Sequence, residues 1–306
     1  MRRDQVKAIL KLGRFRFILA ELLLYFVGAL YAAFLGSPLQ WDRLILGYLV
    51  LFLAHLSVSY SNDYFDRQSD LAGSPGPVSG GSGVLQEYPE LAGWARGIAL
   101  ALIAGSLVLG LVFIALYDID PWFFLFILAG NATGWFYSAP PLRLSGTWLG
   151  ELATAVTMGI LVPGMGYYVT RGSFDPAFLY LAVPFFLYGY FFIVSVEMPD
   201  LDSDRKSGKN TLVARKGIPC GQRVALLATV LASLFLVFTP LLGFFPRGLA
   251  VLGIFSIIPL GFAIREYLSP CTDAECITRW SARNIYTLVI FDLLANLYFL
   301  GIILYH

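Results

Sequence analysis

Nine long apolar runs divide this 306-residue chain, and they constrain its fold more than any other feature. They cover residues 15–35, 44–60, 94–117, 121–137, 149–169, 177–197, 224–245, 249–264 and 285–305. Their lengths are close to the roughly 17–25 residues that an α-helix needs to cross a hydrocarbon core. Only 13% of all residues are charged, against about a quarter in soluble domains. The sequence therefore predicts an all-α membrane protein with about nine transmembrane helices.

Positive charge is concentrated on one side of this predicted bundle. With an odd number of spans, successive loops alternate sides, and the N-terminal side carries all 21 Lys and Arg residues except Arg43, Arg171 and Arg247. Cytoplasmic loops carry such an excess, so we expect an integral protein of the cell membrane with a cytoplasmic N-terminus. Cys271 and Cys276 fall on the same side and are expected to be free thiols. The net charge of +1 gives no indication of a nucleic-acid partner.

The loops on the cytoplasmic side are also the long ones, which places the expected chemistry there. They cover residues 61–93, 138–148, 200–223 and 265–284. No soluble domain interrupts the spans, so residues 1–306 are interpreted as a single membrane domain. Residues 72–83, AGSPGPVSGGSG, have the composition of a flexible linker, with a lid over a site as the alternative.

Two of these loops begin with the same acidic pattern, acid-x-x-acid-x-x-x-acid. The acids are Asp63, Asp66 and Asp70 in the first copy, and Glu197, Asp200 and Asp204 in the second. Spacings of three and four residues put side chains on one helix face. Each copy ends an apolar run on the same side of the membrane. We therefore expect the two acidic faces to point at one cavity.

Clustered carboxylates without His or Cys suit a hard cation such as Mg²⁺, which proteins bind through a few carboxylates and substrate phosphates. Basic residues near the motifs could hold the remaining phosphate oxygens; the candidates are Arg67, Arg143, Arg205 and Lys209. Two interpretations compete with a metal–diphosphate site. The acids could be ordinary residues at helix ends, or they could form the ion pathway of an ion-coupled transporter.

Three motifs together resemble the UbiA superfamily of intramembrane prenyltransferases. The first, N-D-x-x-D-x-x-x-D, begins at Asn62 and Asp63. The second has Glu197 in place of the usual first Asp and is followed by GKNTL at 208–212. The third, YSAPPLR, covers residues 137–143. The resemblance extends over nearly the whole chain in span number and motif order.

The resemblance implies helices around a central cavity and Mg²⁺-dependent transfer of an isoprenoid from a prenyl diphosphate, geranylgeranyl or longer, to an aromatic or lipid-like acceptor. It implies metal binding by Asp63, Asp66, Asp70, Glu197, Asp200 and Asp204. It implies diphosphate binding by Asn62, Arg67, Arg143 and Lys209. Tyr137 would stabilise the allylic cation. Membrane lipid would surround the bundle and could receive the isoprenoid tail.

The acceptor is indicated by one local feature. The segment SGGSGVL at 79–85 resembles the menaquinone-type branch of the family, which prenylates 1,4-dihydroxy-2-naphthoate. Geranylgeranylglyceryl phosphate and 4-hydroxybenzoate remain alternative acceptors. Two polar residues inside the spans, His55 and Asn131, are expected to be packed or hydrogen-bonded within the bundle.

Overall fold

A computed structural model of the chain describes residues 3–15, 18–68, 81–271 and 273–305. The described residues form helices joined by loops, without a β-strand among them. Asp70 and residues 72–80 of the predicted linker lie outside the described residues. The predicted all-α class is confirmed.

Fourteen α-helices are numbered here in chain order within the described residues. They are α1 Arg3–Leu12, α2 Ile18–Phe34, α3 Trp41–Asp66, α4 Val84–Glu87, α5 Ala92–Tyr117, α6 Phe123–Ser138, α7 Leu149–Val156, α8 Val162–Arg171, α9 Leu179–Lys206, α10 Leu212–Lys216, α11 Ile218–Leu241, α12 Ala250–Phe255, α13 Ile257–Leu268 and α14 Ala274–Tyr305. Helix α2 packs on α8 and α14, α3 packs on α5 and α6, and α9 packs on α7, α11 and α14.

Seven helical segments in the described part of the chain are long and apolar enough to cross a membrane. Two of them contain a break. A single π-helical stretch, Thr157–Leu161, joins α7 to α8 just before Pro163, whose ring cannot take part in a regular helical hydrogen bond. Ser256 separates α12 from α13. Helices α2 and α6 are apolar but shorter, at 17 and 16 residues, so the predicted count of nine spans is not confirmed.

The outer surface of the bundle is apolar, as a lipid environment requires. Large hydrophobic side chains such as Val108, Leu227 and Leu297 are more than half exposed. Exposed tryptophans stand near helix starts, with Trp41 beginning α3 and Trp122 preceding α6. Tryptophan is enriched at membrane–water interfaces. These positions fit helices that cross a bilayer.

Helices α2 and α8 approach each other closely because glycine lies at their crossing. A Cβ atom on Gly28 would lie 1.9 Å from the carbonyl oxygen of Pro163. A Cβ on Gly166 would lie 1.9 Å from the carbonyl oxygen of Tyr25. Small residues allow this backbone-to-backbone packing in membrane bundles. The crossing fixes α2 against the centre of the bundle.

Asp175 organises the loop that joins α8 to α9. Its carboxylate accepts hydrogen bonds from the Tyr167 hydroxyl at 2.8 Å, the Ala177 N–H at 2.9 Å and Arg171 Nε at 3.1 Å. Burial would raise the pKa of Asp175, but these donors outweigh burial and lower the pKa below its ordinary value.

A disulfide joins Cys271 to Cys276 just before and within the first turn of α14. The expectation that these two residues are free thiols was therefore wrong. Cys220, at the start of α11, is a free thiol.

Candidate active site

The first acidic motif ends helix α3, and its buried Asp63 is already paired. Arg14, which precedes α2, forms an ion pair with the Asp63 carboxylate. The Ser82 hydroxyl donates to the same carboxylate, and the Ser82 N–H lies 3.3 Å from Oδ2. Ser82 belongs to the SGGSGVL segment. The contacts at Asp63 thus join the N-terminal segment, the end of α3 and the loop before α4.

Asp66 extends the motif toward helix α6. The Ser138 hydroxyl donates a 2.7 Å hydrogen bond to Asp66 Oδ2 from the last residue of α6. Asp66 also interacts electrostatically with Lys209 and Arg143. Arg143 is exposed, and its backbone is in the left-handed region with φ 42°. The YSAPPLR segment therefore borders the first acidic motif.

Lys209 connects the second acidic motif to the first. Its Nζ lies 2.9 Å from Asp204 Oδ1, and its ammonium also interacts with Asp66 and Asp200. Burial opposes the charge, but the Asp204 carboxylate outweighs it and raises the pKa of Lys209 above its ordinary value. The Lys209 ammonium therefore interacts with carboxylates of both motifs. This agrees with the expectation that the two motifs face one cavity.

The GKNTL segment that carries Lys209 is held at several backbone positions. Gly208 takes the left-handed conformation, with φ 76°, and the Lys209 N–H donates to the Asp204 carbonyl at 2.9 Å. The Asn210 N–H donates to the Gly146 carbonyl at 2.8 Å. Thr211 then caps α10 by accepting from the Ala214 N–H at 3.2 Å. These contacts fix the point from which the Lys209 side chain extends.

Two buried glutamates complete this support. Glu151 of α7 accepts a hydrogen bond from the Leu212 N–H, and Glu197 Oε2 lies 3.5 Å from the Val213 N–H. The two carboxyl groups interact electrostatically with each other. Glu197 therefore contacts the start of α10 and Glu151, and its predicted contact with metal remains a prediction.

Tyr137 lies in the same region. Its hydroxyl accepts a 3.5 Å hydrogen bond from Thr154 Oγ1 and interacts with Glu197, Lys209 and Glu151. The phenol thus lies between the YSAPPLR segment and the second motif.

Arg67 is held differently from the other predicted phosphate ligands. Its guanidinium lies 4.6 Å from the centre of the Tyr64 ring and donates to the Tyr64 carbonyl. Binding a diphosphate with Arg67 would require a new side-chain conformation. Arg205 likewise donates to the Ala214 carbonyl at 2.9 Å.

The donor chemistry at the two motifs fits Mg²⁺. The available groups are carboxylates and the Asn62 amide oxygen, which is buried and has no hydrogen-bond donor among the described residues. Carboxylates of the described motif residues do not form a group of three within 4.8 Å; Cys271, Asp273 and Cys276 do, in the disulfide loop. Arg14 and Lys209 instead neutralise Asp63 and Asp204.

Four contributors were missed in the sequence: Arg14, Ser82, Ser138 and Glu151. Ser138 lies inside the YSAPPLR motif, but the resemblance implies roles only for Tyr137 and Arg143. Glu151 had a usable signal, because an acid within an apolar run is rare and is commonly functional. Arg14 had no local signal, since it is one of several basic residues in the N-terminal segment.

Comparison with known proteins gives consistent results. Residues 22–282 match the UbiA prenyltransferase family. A 1,4-dihydroxy-2-naphthoate octaprenyltransferase of Haemophilus influenzae is 28% identical over 224 residues, 69% of this chain and 72% of that protein. A Bacillus subtilis protein with the same name is 26% identical over 179 residues, 55% of this chain and 56% of that protein.

The fold also matches a solved structure. A UbiA homologue from Archaeoglobus fulgidus, bound to DMAPP and Mg²⁺, has a TM-score of 0.65 with this chain at 17% identity. The match covers 94% of this chain and 98% of that one. With its membrane helices, its paired acidic motifs and a family match over most of its length, the chain belongs to the UbiA prenyltransferase family.

Proposed function

We propose that this enzyme transfers a prenyl chain, geranylgeranyl or longer, from its diphosphate to 1,4-dihydroxy-2-naphthoate, a step of menaquinone biosynthesis. Two relatives carry that activity in their names. The SGGSGVL segment that indicated the acceptor contributes Ser82 to Asp63. The observation that carries the proposal is the position of Lys209, whose ammonium interacts with acids of both motifs.

The diphosphate would bind where α3 and α9 end. The proposed metal ligands are Asp63, Asp66, Asp70, Asp200 and Asp204. Asn62 would add its amide oxygen, which accepts no hydrogen bond from the part of the chain that the structure describes. Bound Mg²⁺ would supply positive charge to the departing diphosphate. Glu197 was also predicted as a ligand, but its contacts with Val213 and Glu151 support a positioning role instead.

The remaining phosphate oxygens would be bound by side chains around the motifs. Lys209 and Arg143 supply charge beside Asp66, and Arg67 could join after leaving the Tyr64 ring. Charge-assisted hydrogen bonds of this kind are about twice as strong as neutral ones. They would hold the leaving group while the C1–oxygen bond breaks and its electron pair departs with the diphosphate.

The acceptor would attack the allylic carbon inside the bundle. A carbon–carbon bond forms, and for dihydroxynaphthoate the carboxylate at the attacked carbon is lost. Tyr137 would stabilise positive charge on the allylic carbon through its ring or hydroxyl. The surrounding apolar helices would exclude water, which would otherwise capture the cation.

The proposed arrangement in the cell follows from charge. The side that carries the acidic motifs also carries most basic residues, so we place the active site and the N-terminus on the cytoplasmic face of the cell membrane. Residues 1–306 would act as one domain. A reporter fused to either terminus tests the orientation, and a periplasmic N-terminus would contradict it.

The test is direct. Protein purified in detergent is incubated with Mg²⁺, radiolabelled geranylgeranyl diphosphate and one of three acceptors: dihydroxynaphthoate, 4-hydroxybenzoate or geranylgeranylglyceryl phosphate. We expect prenylated naphthoate, and EDTA should abolish it. Product with another acceptor alone would replace the proposed substrate. Cation flux into liposomes without turnover would revive the transporter alternative.

Two variants connect the activity to the motifs. Asp63→Ala and Asp200→Ala should each abolish product. Asp202→Ala is the matched control, because Asp202 lies between the proposed ligands but is exposed. Amounts of folded protein must be compared, since removing one partner of an ion pair destabilises the other.

A further inference from the structure

A second ionisable pair lies deeper in the bundle, away from the acidic motifs. Glu21, in the first turn of α2, is only 5% exposed. Its carboxylate is paired with Nδ1 of His55 on α3. Oε2 lies 2.5 Å from Nδ1 of His55, and neither oxygen of the Glu21 carboxylate accepts a hydrogen bond of good geometry from the described residues. Ionisable groups within membrane helices are costly, and their default interpretation is functional.

The pair lies on the same helix face as the proposed diphosphate site. His55 precedes Asn62 by seven residues, which is two turns of α3, or about 10 Å along the axis. Tyr48 precedes His55 by another seven residues. Its hydroxyl is buried, has no hydrogen-bond partner among the described residues and interacts electrostatically with Glu21. A polar stripe therefore continues from the acidic motif into the bundle.

The imidazole is accessible although protein surrounds it. His55 lies deep among other side chains, yet 32% of its side-chain surface is accessible. His55 can therefore meet a molecule that enters between the helices.

We propose that Glu21 and His55 bind the hydroxyl of the aromatic acceptor and accept its proton; this inference rests on the proposed function. The Glu21 carboxylate beside Nδ1 of His55 favours the proton on that nitrogen, which leaves the Nε2 lone pair available. One helix face then offers a diphosphate site at its end and a hydroxyl site two turns deeper. An acceptor ring can lie between them.

The proposed step couples proton transfer to formation of the carbon–carbon bond. The hydroxyl beside the attacking carbon gives its proton to Nε2, and its O–H electron pair becomes part of a new carbonyl. The ring carbon forms a bond to C1 of the prenyl group while the C1–oxygen bond breaks and the diphosphate takes those electrons. The imidazolium is neutralised by the Glu21 carboxylate, so no water is required. Loss of carbon dioxide from the prenylated carbon leaves its bonding electrons in the ring as an enolate. The enolate oxygen takes the proton back from Nε2, which restores the aromatic hydroxyl and the neutral imidazole.

Binding and turnover test this proposal separately. Equilibrium dialysis measures the binding of radiolabelled dihydroxynaphthoate to detergent-purified protein. The protein is saturated with Mg²⁺ and with an unreactive thiodiphosphate analogue of geranylgeranyl diphosphate. We expect His55→Phe to weaken acceptor binding at least tenfold and to change analogue binding less than about twofold. In turnover, His55→Phe should lower kcat by roughly 100-fold or more, the usual range for general acid–base catalysis.

Three further variants separate chemistry from folding. Glu21→Gln and His55→Gln keep polar groups in place and should retain folded protein, while kcat still falls roughly 10-fold or more. Thr229→Val is the matched control, because the buried Thr229 hydroxyl donates within α11 to the Ala225 and Leu226 carbonyls. It should leave acceptor binding and kcat unchanged.

The outcomes are distinct. Acceptor binding by His55→Phe equal to that of the unmodified protein overturns the proposal. Absence of acceptor binding in the unmodified protein also overturns it. If the unmodified protein makes no product but binds acceptor through His55, the hydroxyl site stands and the proposed transfer reaction fails.

Discussion

Replacing Lys209 by Met removes the cation shared by the two acidic motifs and keeps most of the side-chain volume. In the structure the ammonium pairs with Asp204 at 2.9 Å and also interacts with Asp66 and Asp200. Its backbone is fixed by hydrogen bonds of the GKNTL segment. The substitution should therefore change charge at the site without releasing the loop.

The expected loss can be estimated from this geometry. If the ammonium transfers one charge-assisted hydrogen bond to the diphosphate, that bond contributes about 1.5–3 kcal/mol. At about 1.4 kcal/mol for each factor of ten, kcat/KM for the prenyl diphosphate should fall roughly 10- to 150-fold. Lys209→Arg keeps the charge and should lose less. Lys206→Met is the matched control, because Lys206 is exposed only three residues away.

The assay measures initial rates with radiolabelled prenyl diphosphate at saturating acceptor, together with a melting curve of each purified variant. Lys209→Met should lose kcat/KM and melt at a lower temperature, because buried Asp204 loses its cation, while Lys206→Met should match the unmodified protein. The reasoning is refuted if Lys209→Met keeps more than half of kcat/KM, or if Lys206→Met loses as much. Equal losses would mean that positive charge anywhere in this segment supports catalysis, and that the position of Lys209 between the two motifs is not required.

Three other predictions concern stability and support of the site. Gly28→Ala should destabilise the protein by about 1–3 kcal/mol. Gly97→Ala, where no atom obstructs a Cβ, should be neutral or stabilising by up to about 1 kcal/mol. Thermal unfolding in detergent distinguishes the two variants. Asp175→Asn should lower the melting temperature at pH 7, and because the folded pKa of Asp175 is depressed, the difference should shrink as pH falls below 3.8. Glu151→Ala should raise KM for the prenyl diphosphate about tenfold. Glu151→Gln should raise it less, because the amide oxygen still accepts a hydrogen bond from the Leu212 N–H. A KM for Glu151→Ala equal to that of the unmodified protein would exclude a positioning role.

The comparisons support part of the sequence interpretation and leave part of it open. Family membership confirms prenyl transfer as the activity class, and it leaves ion-coupled transport without support. Two relatives agree with the acceptor branch indicated by the SGGSGVL segment. Nine spans are not confirmed, because α2 and α6 are shorter than the other seven. The free thiols predicted at Cys271 and Cys276 are replaced by a disulfide.

The sequence by itself determined the helices and the positions of the acidic motifs along them. In lipid a chain must satisfy its backbone hydrogen bonds within each segment, so a long apolar run dictates a helix from local composition alone. Spacings of three and four residues then dictate which acids share a helix face. Asp63 and Asp66 could be placed on this basis without any tertiary information.

Only the tertiary structure decided the partners of those acids. Arg14 meets Asp63 across 49 positions of sequence, and Glu151 meets Leu212 across 61. Glu21 and His55 belong to two different helices, and neither local pattern indicates the other. Such pairs depend on how helices cross, which is set by close packing at residues such as Gly28. Local patterns fix a helix and its faces, but the packing of many helices at once fixes which faces meet.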